Sequence, residues 1–254
     1  MTPPVVLAVA ATDPGGGAGL AADLATLAAL GVHGACVVTA VTVQDTRGVQ
    51  GIHAVPADVV AAQLDAVLGD LPVAVVKTGM LATPEAVRLV AERVVRAGVT
   101  APSLSQGRPR LVVDPVLRAT TGAVLATDEV VAAYREHLLP LATVVTPNAD
   151  EDAVLGRDHG APVLLTGSGG TDVLHLPGRD PVEIAHPRVD TRNDHGTGCT
   201  HASALAAYLA LGHGLVTAAR LAADFTTRQL TTSATWDLGR GRGPIAHTTE
   251  GVTP

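Results

Sequence analysis

Aromatic side chains are almost missing from this chain: one Phe, one Trp and two Tyr among 254 residues. Its core must therefore be built from Val, Leu and Ala. Cysteine is equally scarce. Cys36 and Cys199 make neither a disulfide framework nor a zinc-ligand spacing, so a reducing cytosol is the plain reading. Positive charge is short as well. The chain has a single lysine, Lys77, a net charge of −7 and a pI of about 5.7. There is no basic run and no aromatic–basic interleaving, which argues against a nucleic-acid partner. No apolar stretch approaches the roughly 20 residues of a membrane span. The apolar run at 5–11 is too short for a secretory leader and lacks a basic flank. A cytoplasmic protein with no membrane partner is expected.

What is present is glycine at places where phosphate chemistry needs it. Asp190 to Thr200 runs from a polar loop into Gly196-Thr197-Gly198-Cys199, and an apolar helix follows to about Leu211. The first N–H groups of a helix lack internal partners and carry the positive end of its dipole. Such a turn binds anions, phosphate above all. A cysteine placed there is expected to have its thiolate favoured.

The rest of the chain alternates short apolar strands with helices. Strands are expected at Val5–Ala11, Ala35–Val43, Val49–Val55, Val73–Lys77, Leu111–Asp114, Thr143–Thr146 and Val163–Thr166. Helices are expected at Ala18–Leu30, Pro56–Leu68, Thr83–Arg96, Asp128–Leu139, 200–211 and 215–233. Asp172–Leu176 and Pro181–Ala185 form a hairpin around Pro177-Gly178. This is the pattern of an α/β fold: a mostly parallel central sheet, helices on both faces, and a small antiparallel flap. Neither a repeat nor a composition break divides it, so residues 1–254 are expected to form a single domain. The Gly/Pro/Thr-rich tail from Gly239 is expected to be loosely ordered.

Asp13, Gln44, Lys77, Asp114, Asn148 and Thr166 each fall at or just past the carboxyl end of a strand. In open α/β sheets that edge binds ligands. Singly, each is an ordinary turn residue; together they outline a site. Gly17-x-Gly19-x-x-Ala22 fits the dinucleotide fingerprint only loosely. A flexible turn, or a loop that lets backbone approach a small ligand, remains open. Asp23 and Thr26 are the only polar residues in the first helix, so Asp23 either sits on its one wet face or aims at a ligand. Gln44 can donate and accept, which suits the edge of a heterocycle. Lys77 is preceded by Val76, which excludes a Gly-Lys-Ser/Thr phosphate loop. Asp114, and Asn148 with Glu151, read either as turn and helix-entrance residues or as hard-oxygen ligands for Mg²⁺. His195 either touches an anion or shapes the loop, and shaping is the plainer role.

Seven blocks together resemble the hydroxymethylpyrimidine/phosphomethylpyrimidine kinases of thiamin biosynthesis, in the ribokinase-like superfamily. They are Thr12-Asp13-Pro14-Gly15-Gly16-Gly17-Ala18-Gly19, Ala21-Ala22-Asp23-Leu24, Gln44-Asp45-Thr46-Arg47-Gly48-Val49-Gln50, Lys77-Thr78-Gly79-Met80-Leu81, Val113-Asp114-Pro115-Val116, Thr146-Pro147-Asn148-x-x-Glu151 and His195-Gly196-Thr197-Gly198-Cys199-Thr200. The resemblance implies a ribokinase-like fold, ATP and Mg²⁺ as cofactors, and a self-associating chain, a dimer. It implies a pyrimidine pocket at Gly19, Asp23, Gln44 and Met80. ATP and phosphate would meet Lys77, Asp114, Arg118, Asn148 and Thr166, with metal at Asp114 and Glu151. Gly196, Thr197 and Gly198 would hold the transferring phosphoryl group, and Cys199 would serve as base. Thr166 stands where the family carries a lysine, which leaves Arg118, Arg192 and Lys77 to replace that charge. The helix that the family carries between Glu151 and the next strand is missing. A pyridoxal or pyridoxine kinase of the same branch is the alternative activity. A pyrimidine-binding protein with degenerate catalysis is the alternative from another class.

Overall fold

A computed structural model describes residues 2–98, 110–119, 122–167 and 169–247. Residues 99–109, a Pro/Ser/Gly-rich stretch of the sequence, lie outside them. The central sheet has eight strands: β1 (Val5–Ala10), β2 (His33–Val38), β5 (Val73–Thr78), β6 (Arg110–Val113), β7 (Val144–Val145), β8 (Val163–Leu165), β9 (Thr171–His175) and β10 (Val182–Ala185). Their spatial order is β10-β9-β8-β7-β6-β5-β1-β2. The six from β2 to β8 are parallel, and the hairpin β9–β10 adds two antiparallel strands at one edge.

Alternation along the strands feeds two cores, as a period of two requires. Leu7, Val9, Val76 and Leu111 point to one side, where they meet helices α2 (Ala57–Asp70), α3 (Pro84–Arg96) and α4 (Asp128–Ala133). Val6, Val75, Val112 and Val144 point to the other and meet α6 (Thr197–Ala210) and α7 (Leu215–Ser233). Helix α1 (Gly19–Ala29) packs on α6. From Ala202 to Ala210, α6 is Ala and Leu except for Ser203 and Tyr208, because the helix is buried from Thr200 through Ala207. No helix among the described residues is long and apolar enough to cross a membrane.

Three expectations change in detail. The run Ala35–Val43 is two strands, not one. The chain leaves the sheet at Thr39, whose hydroxyl donates to the Met80 carbonyl at 2.7 Å. It continues as β3 (Ala40–Asp45), which pairs with β4 (Gly48–Ala54) to make the small antiparallel flap. The expected helix 128–139 keeps α4 but passes into a π turn over Tyr134–Leu138 and a 3₁₀ turn over Leu139–Leu141, which contains Pro140. The loosely ordered tail is also corrected, as far as His247. Ile245 and Ala246 are buried, and the backbones of His195, Gly243 and Ile245 exchange hydrogen bonds of 3.0 Å. Residues 248–254 lie outside the described part.

Candidate active site

The chain goes outward from β1 to β2 and then returns to β5 on the other side of β1. This reversal opens a crevice at the carboxyl ends of β1 and β5, the usual ligand position in open parallel sheets. A cavity of about 710 Å³ lies there.

Its floor is two glycine segments locked together by Asp13. That carboxylate accepts hydrogen bonds from the N–H groups of Gly15, Gly17 and Ala18, and from His195 Nε2 at 2.8 Å. Burial raises its pKa, but these hydrogen bonds outweigh burial and hold it below the ordinary value. The Gly-rich segment is therefore an ordered nest around a carboxylate, not a dinucleotide fingerprint. His195 shapes the loop. Gly196, at φ +88, lies so close that a Cβ there would be 1.7 Å from the Gly17 carbonyl oxygen. Gly19, at φ +55, presses on the Ala11 carbonyl in the same way. The anion turn is thus positioned by backbone contact with the loop after β1, and only glycine fits. His247 adds a bond to Thr200 Oγ1 at 2.9 Å, tying the C-terminal segment to the first turn of α6.

The structure brings most of the expected residues to this cavity. Gly19, Gln44 and Met80 line one end. Gly196, Thr197, Gly198 and Cys199 line the middle, beside Asp114. Arg118, Asn148, Glu151 and Thr166 line the rest. Asn148 and Glu151 also form a complete capping box on α5 (Ala149–Leu155), so the helix-entrance reading holds. That seven-residue helix is all that stands before β8. The Glu151 carboxylate accepts from the backbone N–H groups of Leu117 and Asn148.

Asp23 and Lys77 are corrections. Both are completely buried and neither lines the cavity. Lys77 Nζ lies 2.8 Å from Asp23 Oδ1 and 3.6 Å from Asp114 Oδ2. Ser203 Oγ donates to Asp23 Oδ1 at 2.8 Å. A carboxylate inside an apolar helix needs a donor, and here the donor is the chain's only lysine rather than a ligand. Burial lowers the Lys77 pKa, but the charges of Asp23, Cys199 and Asp114 more than compensate and raise it. Lys77 is a fixed internal cation, unavailable to a phosphate in the cavity. Arg192 is excluded too, because it pairs with Asp237 at 2.7 Å and does not line the cavity. Arg118 remains. Arg188, which follows β10, joins it in the cavity wall. Reading strand ends missed Arg188 because the sequence shows β10 only as half of a hairpin. Two antiparallel pairings, β8–β9 and β9–β10, turn it back to the direction of the parallel strands, so its carboxyl end reaches the same edge.

The thiolate expectation fails as well. Burial pushes the Cys199 thiol up to about 12. Lys77 pulls it down, but Asp114 and Asp23 push it up again, so the helix entrance does not decide the outcome.

Asp114 reaches the cavity with its Oδ2 buried and without a hydrogen-bond partner. Burial first, opposed by Lys77 and reinforced by Glu151, raises its pKa to about 7. The folded state thus keeps a proton between about pH 4 and 7 that the unfolded chain gives up. Stability must fall as pH rises through that window. In Asp114→Asn this part of the decline should disappear, which melting temperatures at pH 5 and pH 8 will show. A cavity-wall carboxylate whose Oδ2 has a 3.6 Å ion pair to Lys77 but no hydrogen bond, sharing the wall with the Asn148 amide and the Glu151 carboxylate, fits Mg²⁺, a hard cation that keeps waters and phosphate oxygens among its ligands. Among the described residues no group of three or more His, Cys, Asp or Glu could hold a metal ion alone, so phosphate would have to complete such a site.

A glycine turn at a helix entrance, set over the reversal point of a parallel sheet with no Gly-Lys-Ser/Thr loop, defines a small-molecule kinase of the ribokinase-like class. Solved structures agree. The pyridoxal kinase of Bacillus subtilis superposes with a TM-score of 0.83 at 28% identity, covering 97% of this chain and 98% of the other. The phosphomethylpyrimidine kinase of Clostridium difficile gives 0.74 at 29%, covering 89% and 98%. The family model for phosphomethylpyrimidine kinase matches residues 13–161 and 157–246, and this chain belongs to that family. The hydroxymethylpyrimidine/phosphomethylpyrimidine kinase of Rhizobium meliloti is 40% identical, over 96% of each chain. That of Streptomyces coelicolor is 42% identical, over 97% of this chain and 95% of the other.

Proposed function

We propose that this chain transfers a phosphoryl group from ATP to the hydroxymethyl oxygen of 4-amino-5-hydroxymethyl-2-methylpyrimidine, and then to the phosphate of the resulting monophosphate, for thiamin biosynthesis. One observation carries the reading: the anion turn Gly196–Cys199 and the amide of Gln44 share one cavity whose floor only glycine permits. Gln44 offers a donor and an acceptor to the pyrimidine edge, with Met80 and Gly19 as the walls. The N–H groups at the start of α6 face charge that grows on the phosphoryl oxygens. Arg118 and Arg188 supply the positive charge that Thr166 lacks. Mg²⁺ would be held at Asp114, with Asn148 and Glu151 beside it, and would neutralise phosphate charge when bound. Cys199 accepts the hydroxymethyl proton in the first transfer. The second acceptor is a phosphate oxygen, already ionised near neutral pH, and needs no base.

The same proposal includes a cytoplasmic location and a dimer. Val41, Val43 and Ile52 are exposed on the flap and offer an apolar surface for self-association.

The relatives that share about 40% of their residues across nearly the whole chain are named for pyrimidines. The pyridoxal kinase of Staphylococcus aureus, solved with pyridoxal, matches the fold as well, at a TM-score of 0.84, but shares 28%. ADP release measured side by side with the hydroxymethyl pyrimidine, its monophosphate and pyridoxal tests the reading. Turnover of both pyrimidines is expected, with kcat/KM for pyridoxal lower by about tenfold or more, the factor worth ~1.4 kcal/mol in the transition state. A preference for pyridoxal overturns it. Pyrimidine binding without turnover would instead mark a binding protein.

A further inference from the structure

Past the anion turn the cavity meets a polar patch that the roles above do not use. Asp172 lies in β9, His186 directly follows β10, and His201 sits on α6 two residues after Cys199. All three line the cavity. The two oxygens of Asp172 face the two imidazoles: Oδ1 is 3.4 Å from His186 Nε2, and Oδ2 is 3.8 Å from His201 Nε2. Neither nitrogen has a hydrogen-bond partner. Asp172 and His201 are only 3% and 5% exposed. Buried polar atoms are normally bonded, so two unbonded nitrogens around one carboxylate in a cavity wall need an explanation.

The chemistry of the patch narrows what would complete it. Burial holds His201 below its ordinary pKa, so that imidazole is neutral near pH 7. A carboxylate beside a neutral ring repels phosphate. Phosphate is better served by Arg188, two residues beyond His186. Hydroxyl groups suit the patch, since a carboxylate accepts from them and an imidazole nitrogen can donate or accept. A carboxylate bonded to ribose hydroxyls is a known solution in dinucleotide folds. The adjoining wall of α7, with Ala223, Thr226 and Leu230, offers a surface for a flat base.

We propose that Asp172, flanked by His186 and His201, binds the ribose diol of the nucleotide and so selects ribonucleotides over deoxyribonucleotides. This rests on the kinase reading. It assigns the far end of the cavity to the sugar, between the phosphate cations and an α7 base site.

Calorimetric binding of ADP, 2′-deoxy-ADP and 2′,3′-dideoxy-ADP to the whole chain, with Mg²⁺ in the buffer, tests it without turnover. In the wild type, each hydroxyl removed should weaken binding by about tenfold or more, as expected for a hydrogen bond to a charged group. In Asp172→Asn the three nucleotides should bind within about threefold of one another, and His201→Leu should reduce the discrimination partway. The wild-type series decides even where a variant fails to fold. Equal binding of ADP and dideoxy-ADP by the wild type overturns the diol assignment and leaves the kinase reading standing. Failure of every adenine nucleotide to bind overturns both.

Discussion

Replacing Cys199 with alanine will slow phosphorylation of the hydroxymethyl pyrimidine by roughly 10²–10⁴-fold, the usual worth of a positioned base. Phosphorylation of the monophosphate will change far less. The asymmetry comes from the acceptors. A hydroxymethyl oxygen must lose a proton during the transfer, whereas a phosphate oxygen near neutral pH carries none to lose. The raised thiol sharpens this expectation. With the Cys199 pKa at about 12, the thiolate is a minor form at pH 7 and grows tenfold with each pH unit. The first reaction in the wild type should therefore climb steadily with pH across the neutral range, and the second should not. Cys199→Ala should abolish the climb. Separate initial rates for the two acceptors at pH 6 to 9 provide the measurement. Equal losses on both acceptors would give Cys199 a structural role instead.

Lys77→Met is expected to destabilise the fold by about 3–5 kcal/mol, the typical result of removing one partner from a buried ion pair. Domains are stable by only about 5–15 kcal/mol, so this is a large share. The side chain of Lys77 is fully buried between Asp23, also fully buried, and Asp114. Methionine fills much of the volume but leaves two carboxylates without their cation. Protonation relieves part of that penalty, so the loss should be smaller at pH 5 than at pH 8. Urea unfolding at the two pH values checks both the size and the direction. A loss under about 1 kcal/mol, the ordinary worth of an exposed pair, would show that Lys77 does not neutralise these carboxylates in the fold.

Much of this was legible in the sequence. Alternating apolar strands and helices gave the layers, and the carboxyl-end residues Asp114, Asn148 and Thr166 do line one cavity, which Gln44 joins from within flap strand β3 rather than from the end of a central strand. The helix expected from Thr83 does begin there: the Thr83 hydroxyl accepts from the Ala86 N–H and Pro84 opens α3. These signals are local: period, cap and strand end. The misses involve partners far away in the chain. An unbroken apolar run from Ala35 to Val43 cannot show that Thr39 leaves one sheet for another, because the Met80 carbonyl that holds it comes from β5's loop. A composition rich in Gly and Pro made the segment after Gly239 look loose, yet Thr46, Asn193 and His195 hold it. Asp172, His186, Arg188 and His201 gave no local signal, since antiparallel strands and a buried helix bring them together.

By itself, the sequence determined the element order, the sheet edge that carries the chemistry and a glycine turn fit for phosphate. Those follow from short-range sterics and periodicity, which each segment carries alone. Only the tertiary structure decided what the charged groups do. Burial and neighbours turned Lys77 and Asp23 from ligand contacts into an internal ion pair, and they turned Cys199 from a favoured thiolate into a raised thiol. A side chain's charge depends on what lies within a few ångströms of it, and in this chain those neighbours come from β5, β6, α1 and α6 at once.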